Sequence, residues 1–210
     1  MKKSLCFLFA LMGLATTGRA AEDWITLFNG KDLSGWQNAS GAAPSANWTV
    51  ADGALSRQAG GGDLWTKERF GDFVLELEFK TAGNSGVFFR TDKPKDNVQT
   101  GIEIQVDKPG GPGKHSVGAI YDLVAPTKNA GKEEWNKMVI TAKGPLVSVE
   151  LNGEKVSQMN LDLWKEGQKN PDGSGNKFRT ALKDFKREGH IGLQDHGNQV
   201  SYRNLRVRKL

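Results

Sequence analysis

The segment Gly101-Ile-Glu-Ile-Gln-Val-Asp107 sets the first chemical question. If its backbone is extended, side chains alternate in direction. Glu103, Gln105 and Asp107 then share one face, and Ile102, Ile104 and Val106 share the other. Two carboxylates and an amide in one row can move protons and bind hydroxyl groups. The same alternation marks any half-exposed strand, so the row also has a purely structural reading. Arg90 ends the neighbouring apolar run Ser85-Gly-Val-Phe-Phe-Arg90. Its guanidinium can donate several fixed hydrogen bonds to an oxygen-rich ligand, or pair with Glu103. The two acids of the row are four residues apart, roughly 13 Å at about 3.3 Å per residue. Carboxyl pairs that cleave glycosidic bonds need separations of about 5.5 Å, or about 6.5–9.5 Å when a water must fit between them. Glu103 and Asp107 fit neither spacing, which leaves open a pair drawn from different strands.

A second group lies near the C-terminus, in Gln194-Asp195-His196-Gly197. Imidazole titrates near neutrality and is suited to proton transfer at physiological pH, with Asp195 available to orient it. The local alternative is a histidine in a surface turn. Tyr121 and Asp122 offer hydroxyl-binding groups, with Tyr121 also a possible acid; their alternative is an ordinary strand end followed by a turn. His115 sits in a Pro/Gly-rich loop, and His190 reads as structural. Trp36, Trp48, Trp65, Trp135 and Trp164 are aromatic surfaces for a sugar ring or members of a core, and Trp135 is expected in the core. Loops rich in Asp, Asn and carbonyls leave a divalent metal open, but no ligand spacing is diagnostic of one.

These groups must be positioned by strands, because the dominant period is two. Phe73, Leu75, Leu77 and Phe79 alternate with Val74, Glu76 and Glu78. Gly83-Asn84 carries a hairpin-type turn signal before Ser85–Arg90. Further strands are expected over 101–107, 135–141 and 146–151. Asn152-Gly153 should then form a type I′ turn into 154–156, and the last strands fall at 190–194 and 200–210. Helical signal is confined to short stretches at 160–167 and 179–186, and 165–177 reads as a polar surface loop. Many short strands with Gly-rich turns imply a sandwich or barrel.

The first twenty residues read as an export signal: Lys2 and Lys3, then an apolar run from Leu5 to Leu14, then Gly18-Arg19-Ala20 with cleavage expected after Ala20. The expected organisation is therefore 1–20 signal peptide and 21–210 a single domain. The chain has 29 basic and 24 acidic residues, and cleavage would remove three of the basic ones and no acid. The remaining balance is near neutral, so no nucleic-acid footprint is expected. Cleavage would also remove Cys6, the only cysteine, leaving no thiol nucleophile and no disulfide. No later apolar stretch is long enough for a membrane span, so a periplasmic or secreted product is expected.

Several segments together resemble the 3-keto-disaccharide hydrolase domain family. They are Leu27-Phe-Asn-Gly-Lys-Asp-Leu-Ser-Gly-Trp36, Asn84–Arg90, Gly101–Asp107, Gly118-Ala-Ile-Tyr-Asp122, Glu134-Trp-Asn136 and Gly192-Leu-Gln-Asp-His-Gly197. The resemblance implies an all-β jelly-roll sandwich of two antiparallel sheets, similar to the concanavalin A-like lectins and glucanases. It also implies action on sugars oxidised at C3. Glucanases of this fold use acids at alternate strand positions, and here the middle position is Gln105. A C3 ketone opens another route. It acidifies the C2 proton, whose removal gives an enolate that can expel the group at C1, and water can then add to the alkene. On this reading His196 is the base, with Glu103 and Arg90 also catalytic. Gln105, Asp107, Tyr121, Asp122, Gln194 and Asp195 bind substrate. Competing readings are a lectin-like carbohydrate-binding module without catalysis and a conventional endoglucanase.

Overall fold

The computed structural model describes residues 23–58 and 60–210. The expected signal peptide lies outside the described residues. The strands are β1 (Ile25–Thr26), β2 (Trp36–Gln37), β3 (Trp48–Ala51), β4 (Ala54–Arg57), β5 (Leu64–Phe70), β6 (Phe73–Thr81), β7 (Ser85–Thr91), β8 (Ile102–Val106), β9 (Asn136–Lys143), β10 (Leu146–Leu151), β11 (Glu154–Asn160), β12 (Gly189–Leu193) and β13 (Val200–Lys209). One sheet runs β11-β10-β9-β6-β13-β4-β3, with β1 beside β13, and the other runs β2-β5-β12-β7-β8. Every strand pairing is antiparallel.

Alternation explains which face each strand buries. Phe73, Leu75, Leu77 and Phe79 of β6 point into the core between the sheets. Glu76 and Glu78 point outward, to Arg206 and Arg203 of β13. In the second sheet Val87 and Phe89 of β7, Ile102, Ile104 and Val106 of β8, and Ile191 and Leu193 of β12 fill the same core. The opposite face of this second sheet is left to Gly86, Phe88, Glu103, Gln105, Gly192 and Trp65. Helical structure is slight, with the expected short turns at Leu161–Leu163 and Leu182–Asp184 and, where the sequence carries no helical signal, a turn at Pro94–Asp96 leading into a one-turn helix at Asn97–Thr100. Asn152 and Gly153 both adopt positive φ, at 54° and 85°, the geometry of the expected I′ turn.

Two expectations are corrected. Gly83-Asn84 does not close a hairpin: β6 pairs with β9 and β13, whereas β7 pairs with β8 and β12. The turn carries the chain from one sheet to the other, and Ala82 N–H is taken by the Gln199 carbonyl at 2.9 Å. A turn signal fixes local direction but not which strand becomes the partner. Trp135 is half-buried rather than in the core, with the Arg203 guanidinium 4.0 Å from its ring centroid on the outer face.

Arg90 is a staple between the sheets. It adopts φ 50°, is 1% exposed, and turns its guanidinium toward one end of the sandwich. There Nε donates to the Gly71 carbonyl at 2.9 Å, and the two terminal nitrogens to the Gly144 carbonyl and Asp72 Oδ1, each at 2.7 Å. Asp72 Oδ1 also accepts Gly144 N–H at 3.0 Å. Gly71 and Asp72 join β5 to β6, and Gly144 joins β9 to β10, so one side chain ties β7 to two turns. Arg90→Met should therefore lower the unfolding free energy by about 2–3 kcal/mol, the scale for hydrogen bonds to a charged group. Urea denaturation at neutral pH measures it.

Candidate functional site

The outer face of the second sheet becomes a site because its edge is roofed. The segment 118–121 hydrogen-bonds along β8: Gly118 N–H to the Gln105 carbonyl, Gln105 N–H to the Ala119 carbonyl, and Tyr121 N–H to the Glu103 carbonyl, at 2.9–3.0 Å. Glu103 is left 6% exposed and Gln105 1% exposed. The Glu103 side chain lies over Gly86 of β7, where a Cβ would come within 2.3 Å of its Oε1. Glycine is required there by this close approach. Gln194 donates a side-chain hydrogen bond to the Glu103 carboxylate, and its own N–H is fixed to the Gly86 carbonyl at 2.9 Å. Gln105 Nε2 donates to Asn84 Oδ1 at 2.9 Å. Beneath this polar group Trp65 packs on Gly192 and against Phe88, with ring centroids 5.6 Å apart.

Burial raises the Glu103 pKa from 4.5 to about 7. The Lys177 ammonium opposes the rise and the Asp63 carboxylate adds to it. This is the electrostatic signature of a group that can take and return a proton near neutral pH.

Lys177 arrives on the polar loop that follows β11. Its N–H is held by Asp122 Oδ2 at 3.0 Å and its carbonyl by Gln99 Nε2 at 3.0 Å, while Gln99 Oε1 accepts Arg179 N–H at 2.9 Å. With the backbone gripped at three points, the side chain lies over Tyr121, its Nζ 3.5 Å from the ring centroid. His115 stacks on Tyr121 as well, with ring centroids 4.6 Å apart. Burial pushes the Lys177 pKa down, against the pull of Glu103 and Asp122. Burial pushes the Tyr121 pKa up, with Glu103 and Asp122 adding to it.

The third component is the loop after β12. Asp63 Oδ1 accepts Asp195 N–H at 2.9 Å, and Oδ2 accepts Asn97 Nδ2 at 2.6 Å. Burial raises the Asp63 pKa, and nearby His196 acts to lower it. The Asp195 carboxylate is ion-paired with buried Arg57 and accepts N–H bonds from Gly62 at 3.0 Å and Gly197 at 3.2 Å. Its task is to shape the loop. His196, next in sequence, is exposed at the rim beside Asp63.

Glu103, Gln105, Gln194, Tyr121 and His196 thus gather on or around one face. Asp122 and Asp195 are drawn into supporting bonds. Arg90 does not join them: its three nitrogens are committed to the staple at the end of the sandwich, and the expected pairing with Glu103 is replaced by one with Asp72. Asp107 is half-exposed past the end of β8, and its carboxylate accepts the N–H of Lys108 at 2.7 Å. Lys177, Asp63, Asn97 and Gln99 were not expected. Lys177 sits in a polar Gly/Pro loop and Asp63 behind three glycines, and neither context carries a periodicity that points to a site. Of the five tryptophans considered for sugar stacking, Trp36, Trp48, Trp65 and Trp164 are buried. Among the described residues no three or more His, Cys, Asp or Glu side chains cluster as metal ligands.

Comparison with known proteins gives a consistent result. Residues 23–208 match the family described as the 3-keto-alpha-glucoside-1,2-lyase-like domain. A 3-keto-disaccharide hydrolase of Bacteroides thetaiotaomicron is 29% identical over 231 aligned positions, covering 90% of this chain and 79% of that protein. A structure from Parabacteroides distasonis, described as a candidate glycosyl hydrolase, is 32% identical with a TM-score of 0.78, covering 90% of this chain and 100% of that one. The β-glucanase of Bacillus licheniformis is 11% identical with a TM-score of 0.50, covering 90% of this chain and 97% of that one, and shares the two-sheet fold alone.

The charges around Glu103 act with opposite sign, and the two effects separate experimentally. Lys177→Met should move the Glu103 pKa further up, and Asp63→Asn should move it down. Carboxyl-carbon NMR titration of each variant reads both shifts. Equal movement in one direction would contradict the arrangement.

Proposed function

The chain belongs to the 3-keto-alpha-glucoside-1,2-lyase-like domain family, and on that premise we propose that it is an exported enzyme that cleaves the glycosidic bond of 3-keto-glycosides by elimination. The observation that carries this reading is Glu103: a buried carboxyl that titrates near 7, facing Lys177 and Tyr121 on a polar sheet face. A general base works best with a pKa near the working pH. A C3 ketone makes the C2 proton acidic enough for a single carboxylate to remove.

In this reading Glu103 takes the C2 proton. Lys177 lies beside the C3 carbonyl and draws off the negative charge that develops there. The C2 electrons form the C1–C2 double bond as the C1–O bond breaks. His196, at the rim, gives a proton to the departing oxygen. Water added across the product alkene completes net hydrolysis. Gln105 and Gln194 orient the sugar hydroxyls through their amides, and Tyr121 walls the pocket.

Double displacement finds little support. Asp63 is the carboxylate nearest in effect to Glu103, yet both of its oxygens already accept hydrogen bonds, from Asp195 N–H and Asn97 Nδ2. It is poorly placed to attack an anomeric carbon.

The mature protein should release free sugar from 3-keto-trehalose or a 3-keto-glucoside, while the unoxidised disaccharide stays intact. Sugar binding without turnover would favour a lectin-like module. Glu103→Gln should lower kcat by about 10²–10⁴-fold, the range for losing a general base. In the parent enzyme kcat/KM should rise with pH through about 7, as the Glu103 carboxylate forms. The role of His196 is checked by leaving-group dependence. His196→Ala should slow release of a sugar alcohol and leave release of 4-nitrophenolate, which needs no protonation, close to the parent rate.

A further inference from the structure

Resting on the elimination reading, we infer that Lys177 works covalently: its Nζ condenses with the C3 ketone of the sugar, and the resulting iminium is the electron sink for the elimination.

The seat of this lysine fits an amine that must react with a carbonyl. Its backbone is gripped at its own N–H and carbonyl, by Asp122 and Gln99, and again at Arg179 N–H. Its position is therefore set by three side-chain hydrogen bonds to the backbone. Asp122 Oδ2 is engaged by the Lys177 backbone N–H. The amine instead lies on the Tyr121 ring face, 3.5 Å from the centroid. A π face attracts an ammonium but accepts a hydrogen bond weakly. Once the proton leaves, the nitrogen lone pair is free to add to a carbonyl carbon. Burial favours that neutral form, which is how a desolvated lysine becomes a nucleophile. Glu103 stands on the adjoining strand, tied to Tyr121 through Tyr121 N–H and the Glu103 carbonyl at 2.9 Å. The ammonium and the carboxylate act on each other's charge, so the two groups are neighbours.

The steps balance without any added oxidant or reductant. The Lys177 ammonium passes a proton to the Glu103 carboxylate, the neutral amine adds to C3, and that proton returns to the carbinolamine oxygen as water leaves, giving C3=N⁺ and the Glu103 carboxylate. Glu103 removes the C2 proton, and those electrons form C2=C3 while the nitrogen regains its lone pair. That lone pair then re-forms C3=N⁺, the C2=C3 electrons shift to C1=C2, and the C1–O bond breaks with its electrons going to the departing oxygen, which is protonated. Water hydrolyses C3=N⁺, releasing the unsaturated keto sugar and the Lys177 ammonium.

The test is reductive trapping. The full mature chain is incubated with a 3-keto-glucoside and sodium cyanoborohydride, which reduces iminium ions in preference to ketones. The expected result is one adduct, whose mass is the intact or eliminated sugar less one oxygen, mapped by peptide sequencing to Lys177. Activity should fall in step with adduct formation. Lys177→Arg keeps the charge but cannot form the iminium, and should lose more than about 10³-fold in kcat, with its denaturation midpoint confirming the fold. Turnover by the parent enzyme without a Lys177 adduct overturns the inference and leaves elimination standing. So does an adduct spread evenly over surface lysines, or a Lys177→Arg variant within about tenfold of the parent. A Lys177 adduct without any turnover removes the proposed function and keeps the amine chemistry. If neither is seen, both fall.

Discussion

The structure turns on a carboxyl buried on the wrong side of a sheet. Glu103 faces away from the hydrophobic core, where a strand would ordinarily meet water, yet it is nearly inaccessible. The segment 118–121 covers the edge of β8, and Gly86 leaves a hollow for the side chain. The consequence for stability has a definite sign. The folded pKa lies above the unfolded one, so the folded state holds this proton more tightly. Its contribution is most favourable below about 4.5 and declines as pH rises toward about 7, beyond which the full cost of ionising a buried acid is carried. The apolar sandwich offsets that cost. A site that destabilises its own fold at working pH is what proton-transfer chemistry requires and what passive binding does not.

The other buried charges show the contrast. Arg57 and Asp195 meet as a buried ion pair, and Asp195 takes two further N–H bonds. Arg90 has each of its nitrogens on a defined acceptor. These charges are paired with opposite charges, and they hold loops and sheets in register. Glu103 and Lys177 are held differently. One receives a single amide and lies over a glycine, and the other rests on an aromatic face with its backbone, rather than its amine, bound by Asp122. Burial without a close opposite charge in direct contact leaves a group able to change its protonation.

How far the sequence revealed this follows from what alternation records. A period of two reports which face a residue occupies, so the outward row of Glu103 and Gln105 was visible, as were the core faces of β6 and β8. It does not report which face is later roofed, so the burial of that row was not. Nor does it report strand partners: β7 pairs with β12 from the far end of the chain, and Gly83-Asn84 gave no sign of it. Arg90 continues an alternating run on paper and leaves it in space, because its positive φ turns the side chain out of the strand's register. Lys177 was beyond reach for another reason. Its placement depends on Asp122 and Gln99, 55 and 78 residues away, and neither has a local pattern that points to Lys177.

The same facts explain why one carboxylate can serve where a glucanase-like face would carry two. An unactivated glycosidic bond has no acidic proton beside it, so its cleavage through a cation-like transition state calls for both an acid and a nucleophile or base at set distances. A ketone at C3 moves the difficulty. The C2 proton becomes removable, and the electrons it leaves behind need a sink at C3. In the proposed mechanism an amine held over an aromatic ring supplies that sink, and a carboxyl brought to near-neutral pKa by burial supplies the base. Glutamine at the middle position of β8 then stops being a defect. A third charge between Glu103 and the next position would raise the cost of ionising Glu103, whereas an amide binds hydroxyls without adding to the field. On the proposed reading an uncharged Gln105 beside Glu103 and an ammonium at Lys177 are two sides of one electrostatic arrangement.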